Sequence, residues 1–208
     1  MESASIAAGQ AHGHGHDEHH GPPPANQSSR VEAQKLGMML FIISEIMLFG
    51  AFFTAYFFIR VVNGAEWPAE STELPRLIAG VNTFILVSSS LTMHWALEGA
   101  RHENRFALKA GLFTTLLLGA TFLTVQINEY VNIGFSPADH AQGTIFYGLT
   151  GLHGAHVFVG LTLLLFATIR AFRGHFSAKE HRGVDVPGIY WHFVDVMWLV
   201  VYFTVYIL

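Results

Sequence analysis

Apolar residues fall in five long blocks, roughly 36 to 61, 76 to 98, 107 to 131, 144 to 171 and 187 to 208, with short polar segments between them. Inside a block the apolar positions cover every face, and no charged side returns at a 3.6-residue period. Each block is long enough for the roughly twenty residues a helix needs to cross a bilayer core. The pattern predicts an all-α integral membrane bundle of five transmembrane helices and leaves no length for a soluble domain. Breakers stand between the blocks: Trp67 and Pro68, then Pro137, then Gly174, Lys179, Arg182 and Gly183. At those places the backbone can be hydrated.

The first thirty residues differ in kind. His12, His14, His16, His19 and His20 form one run, followed by Pro22, Pro23 and Pro24. Such a composition buries little and predicts a disordered His/Gly/Pro-rich tail over 1–30, ahead of a transmembrane domain over 31–208. It lacks the cationic start and apolar core of a signal peptide, so the tail is expected to stay on the mature protein.

Charge sharpens the picture. Charged residues make up 12% of the chain against 51% hydrophobic, where soluble domains carry roughly 25% charged residues. The formal net charge of -4 offers no nucleic-acid surface. There is no cysteine, which excludes structural disulfides, Cys-ligated zinc and iron–sulfur clusters. Most basic residues gather on one side: Arg30 and Lys35 before the first helix, Arg101, Arg105 and Lys109 around the second loop, and Arg170, Arg173, Lys179 and Arg182 around the fourth. Only Arg60 and Arg76 fall on the other. By the positive-inside rule the N-terminus is cytoplasmic and the C-terminus outside.

Ionisable side chains within the spans are functional candidates, because each is costly in hydrocarbon unless partnered. Glu45 lies about ten residues, or roughly 15 Å, into the first helix. His153 and His156 are three apart on one face of the fourth helix, at a depth where either could meet Glu45. His192 and Asp195 repeat that spacing in the fifth helix. Glu129 lies toward the outer end of the third, where headgroups or water come within reach. Two histidines at i and i+3 can contribute to one metal site, but a catalytic site wants a third ligand and an open position. Two readings stay open: these groups hydrogen-bond one another and fix helix register, or Glu45 exchanges a proton.

Three separated motifs carry a resemblance. Ser44-Glu45 in an apolar helix, Thr150-Gly151-Leu152-His153-Gly154-Ala155-His156-Val157, and Tyr190-Trp191-His192-Phe193-Val194-Asp195-Val196-Met197-Trp198 together resemble cytochrome c oxidase subunit III, in that family's order. Lesser matches are Gln126 to Tyr130 and Asn82 to Trp95. The similarity spans about 36 to 208 and looks like the short, five-helix bacterial form, which sits in the plasma membrane. It implies an accessory subunit without its own redox centre, packed on oxidase subunit I and assembled with subunit II, the haem and copper lying in those partners of a proton-pumping complex. It also implies that Glu45 is the carboxyl that reacts with carbodiimides. Bound phospholipid is implied too, with Arg170 at a lipid phosphate and His175 nearby; where mitochondrial members set a tryptophan against the lipid, this chain has Thr54. A quinol oxidase of the same superfamily is the alternative, although the Ser44-Glu45 pair leans toward the cytochrome c branch. An independent proton-coupled transporter is less favoured, since neither an inverted repeat nor a helix broken at the midplane is visible.

Overall fold

A computed structural model of the chain describes residues 33–64, 67, 74–174 and 182–208. The histidine-rich tail and His175 lie outside the described residues.

Five helices follow one another: α1 (Ala33–Val62), α2 (Arg76–Arg101), α3 (Arg105–Asn132), α4 (Ala141–Phe172) and α5 (Arg182–Tyr202), the last continuing as a π-helical turn over Phe203–Ile207. No strand occurs among the described residues. All five are long and apolar enough to cross a membrane. The helices run past the apolar blocks at their ends, because i to i−4 hydrogen bonding continues into polar residues that reach the headgroups. In α5 the extension passes through Pro187 and begins at Arg182. As the sixth residue of the helix, Pro187 lacks the N–H that would bond to the Gly183 carbonyl one turn earlier.

Local chemistry sets the ends. Asn104 caps α3 by accepting from the Ala107 amide at 3.1 Å, and His140 caps α4 through Nδ1, which accepts from the Gly143 amide at 2.7 Å. Beyond α3 and α4, Gly134 and Gly174 take φ of +83° and +77°, the left-handed turn that glycine enters without a Cβ clash.

Packing follows from the absence of a hydrophobic drive between helices in lipid, where close approach and hydrogen bonds must supply the association. The α2–α3 hairpin is the most extensive interface. Gly111 stands against the Ala96 backbone, and Gly99 against Ala107 and Leu108. The Trp191 ring of α5 is wedged between Gly119 of α3 and Gly160 of α4, where added Cβ atoms would fall 2.5 Å and 2.9 Å from it. Between the antiparallel α2 and α5, hydroxyls meet indoles in matched order: Trp198 Nε1 donates to Thr83 Oγ1 and Trp191 Nε1 to Ser89 Oγ, both at 2.9 Å. The core runs through Leu86, Met93, Leu112, Phe122, Leu149 and Leu164.

α1 is the exception. It packs on α4 and α5 and leaves Met39, Leu40, Ile43, Met47 and Phe58 facing outward. At one end Lys35 Nζ stands 3.4 Å from Asp185 Oδ2 of α5. At the other, Arg60 Nη2 donates to the Leu208 carbonyl at 2.7 Å.

Candidate functional site between the first and fourth helices

Glu45 lies twelve residues beyond the start of α1, about 18 Å along an axis that rises 1.5 Å per residue, near the middle of the helix. From α4, His156 reaches it: Nε2 is 2.9 Å from Glu45 Oε2, and the two side chains are only 12% and 15% exposed. The other ring nitrogen, Nδ1, lies 2.8 Å from the Leu152 carbonyl one turn back. That carbonyl can only accept, so Nδ1 carries a proton. In a neutral ring Nε2 is then the acceptor and the carboxyl must supply the bridging proton; in a charged ring both nitrogens donate. The pair therefore holds one proton that either partner can carry, and both assignments satisfy every hydrogen bond drawn here.

The surroundings fix the imidazole. Phe49 lies over it with ring centroids 5.0 Å apart, and the Tyr190 hydroxyl donates to the His156 carbonyl at 3.2 Å. Tyr190 itself packs against Phe41 of α1. Glu45, His156 and Tyr190 thus form a polar seam at mid-bilayer depth, joining α1, α4 and α5.

His153, the other histidine within the motif, does not join this seam. It is fully buried and points into the bundle, its ring 4.7 Å from that of Trp198 and 5.8 Å from that of Phe122. Neither of its nitrogens has a hydrogen-bond partner among the described residues. His192 Nδ1 lies 2.7 Å from Ser90 Oγ of α2, with buried Asp195 in the same α2–α5 seam. Glu129, expected to open onto headgroups or water, is 8% exposed and accepts from the Tyr206 hydroxyl at 2.8 Å.

Arg170 is in the last turn of α4, the turn that also carries Phe172, over whose ring the Lys109 ammonium of α3 stands at 5.5 Å. Among the described residues no three His, Asp or Glu side chains come together as a metal site. The enclosed His153 ring, edged by two aromatic rings, offers no open coordination position, so the donor set does not fit a haem or copper centre.

One contributor was not singled out from the sequence: Tyr206 stands in an apolar run, where a lone hydroxyl is a weak signal. Two of the matched motifs meet in a network joining α3 to α4: Gln126 Nε2 donates to the Thr150 carbonyl at 2.9 Å, and the Tyr130 hydroxyl to Thr150 Oγ1 at 2.7 Å.

Residues 25–208 match the family model described as cytochrome c oxidase subunit III. Among curated relatives, the cytochrome c oxidase subunit 3 of Thermostichus vulcanus is 38% identical over 174 residues, 83% of this chain and 86% of the relative. That of Synechocystis sp. is 38% identical over 208 residues, 99% of this chain and 83% of the relative. The Drosophila yakuba protein is 41% identical over 176 residues, covering 82% of this chain and 67% of its own length.

Proposed function

The chain belongs to the cytochrome c oxidase subunit III family, and from that premise we propose that it is an accessory subunit which supports proton uptake and turnover stability in a proton-pumping haem-copper oxidase. Its partners are subunit I, which it contacts directly, and subunit II; these hold the haem and copper and carry out electron transfer and oxygen reduction. The setting is a bacterial plasma membrane, with the N-terminus of this subunit cytoplasmic and the C-terminus outside.

The observation that carries the reading is the Glu45–His156 pair, 2.9 Å apart inside the membrane. A group that only fixed helix register would be served as well by a neutral amide. An acid and a base sharing one proton can in addition pass it from one to the other, and the hydrogen bond between them survives in either assignment. Glu45→Gln keeps the volume and the hydrogen bond but removes the exchangeable proton. Assembly is expected to be unchanged, while proton stoichiometry or catalytic lifetime falls by about twofold to fivefold, a loss at the low end of what one positioned proton-transfer group supplies. Oxygen-reduction turnover and proton release in vesicles check this. A variant that matches the parent in initial turnover, stoichiometry and lifetime would reduce Glu45 to a packing residue.

The second support is lipid retention. Arg170 ends α4 where an interfacial guanidinium can hold a phosphate through paired charge-assisted hydrogen bonds. Arg170→Ala should lower the phospholipid that co-purifies with the complex by about one molecule per complex. An unchanged lipid count would leave Arg170 as a topology marker. Cytochrome c as donor is the reading the relatives' names favour; a quinol donor is the alternative, decided by which reductant sustains turnover in the purified complex.

A further inference from the structure

At the opposite end of the bundle from Arg170, a cavity of about 490 Å³ opens between the start of α2 and the end of α3. Its lining divides in two. Pro75, Ile78, Val125 and Ile133 give it an apolar floor, and Asn128, Glu129 and Asn132 a polar rim on α3. Glu129 is three residues before the end of that helix, at headgroup depth.

The rim holds one carboxylate between two amides. Glu129 Oε1 already takes the Tyr206 hydroxyl at 2.8 Å, and that is the only hydrogen bond the carboxyl makes among the described residues. The Asn132 amide nitrogen is turned away, donating to the Asn128 carbonyl at 2.7 Å and to Asn128 Oδ1 at 3.2 Å. The second carboxylate oxygen of Glu129 and the amide oxygen of Asn132 accept no hydrogen bond among the described residues, and the Asn128 amide nitrogen donates none. No cationic side chain among the described residues pairs with Glu129.

We propose that this cavity binds the headgroup of a zwitterionic phospholipid bearing a primary ammonium, the ammonium seated on Glu129 and Asn132 and the glycerol end over Ile78 and Val125. A primary ammonium brings positive charge and three N–H donors with no acceptor, the complement of a carboxylate that accepts one hydrogen bond from the protein, while the Asn128 amide nitrogen can donate to the adjoining phosphate. A quaternary ammonium has the charge but no N–H. A lysine from a partner subunit would satisfy the charge yet leave most of the cavity and its apolar floor unfilled. Below the floor, Ile78 and Val81 are 51% and 57% exposed along one face of α2, a track on which an acyl chain continues into the bilayer.

The test uses the full chain in its oxidase complex, reconstituted in phosphatidylcholine nanodiscs containing a trace of phosphatidylethanolamine with a photoreactive group near the glycerol. Labelling is expected within residues 125–133, competed by unlabelled phosphatidylethanolamine about tenfold better than by phosphatidylcholine and not by its N-acetylated form. Glu129→Gln is expected to lower labelling by about tenfold, the scale of one charge-assisted hydrogen bond. The proposal fails if phosphatidylcholine or the N-acetylated lipid competes equally, if the glutamine variant labels like the parent, or if a zero-length cross-linker joins Glu129 to a lysine of another subunit. Should the variant not assemble, headgroup competition in the parent decides alone.

Discussion

Gly111→Leu should leave the complex without this subunit. A Cβ at position 111 would sit 2.7 Å from the Ala96 Cβ and 2.9 Å from both the Ala96 nitrogen and the Thr92 carbonyl oxygen. Two of those three atoms are backbone, so no rotamer change relieves the contact, and α2 and α3 must separate along their length. In lipid that separation is not opposed by any gain in hydrophobic burial elsewhere. Gly111→Ala alone should cost about 2–3 kcal/mol, the upper range for overpacking. The leucine variant adds a branched side chain to the same clash. Gly50→Ala is the control: nothing lies within 4 Å of its added Cβ, and the change should be neutral or slightly stabilising because alanine favours the helix by up to ~1 kcal/mol. Subunit content by gel and the thermal midpoint in mild detergent measure both. Normal assembly of the leucine variant would mean that the α2–α3 interface is not held by this approach.

His156→Leu is the second change expected to have a large effect, and its sign depends on what is left behind. Removing the imidazole strands Glu45 at mid-membrane without its partner, and breaking a buried pair from one side typically costs about 3–5 kcal/mol. Glu45→Leu leaves a neutral histidine still bonded to Leu152 and should cost less, about 1 kcal/mol. The double replacement removes the stranded group altogether and should recover most of the stability lost in His156→Leu. Unfolding in denaturing detergent for the four proteins of this cycle gives the coupling directly. If the two single losses simply add, Glu45 and His156 act independently and the seam has no energetic content.

The five spans were readable because membrane helices exclude charge so strongly that the blocks stand out without any periodicity. Pairing within the bundle was less readable. His153 and His156 differ by three positions, about 60° around the helix axis, and sequence alone leaves the rotation of α4 undetermined by that much. The structure turns His153 to the aromatic interior at Phe122 and Trp198, and His156 to Glu45. A close approach such as that of the Trp191 ring to Gly160 of α4 helps set that rotation, and a single glycine in an apolar run does not announce it. At Glu129 the sequence was silent on the partner rather than on the place: the π-helical turn at Phe203–Ile207 brings Tyr206 onto the carboxyl, and a local change of helix type leaves no mark in an apolar run.

The peripheral seat of α1 also bears on the order in which the molecule is made. α1 leaves the ribosome before the helices it packs on, yet those are α4 and α5, while α2 and α3 can close on each other as soon as they enter the bilayer. During synthesis of everything between, Glu45 waits in the membrane without His156, and Lys35 and Arg60 wait without Asp185 and the Leu208 carbonyl. α1 is thus locked only after segments made later than α2 and α3, and the polar contacts of Lys35, Glu45 and Arg60 given above are all supplied from α4 onward. A chain stopped before α4 would keep an unmatched carboxyl in lipid, a mark by which membrane quality control could tell unfinished subunits from finished ones.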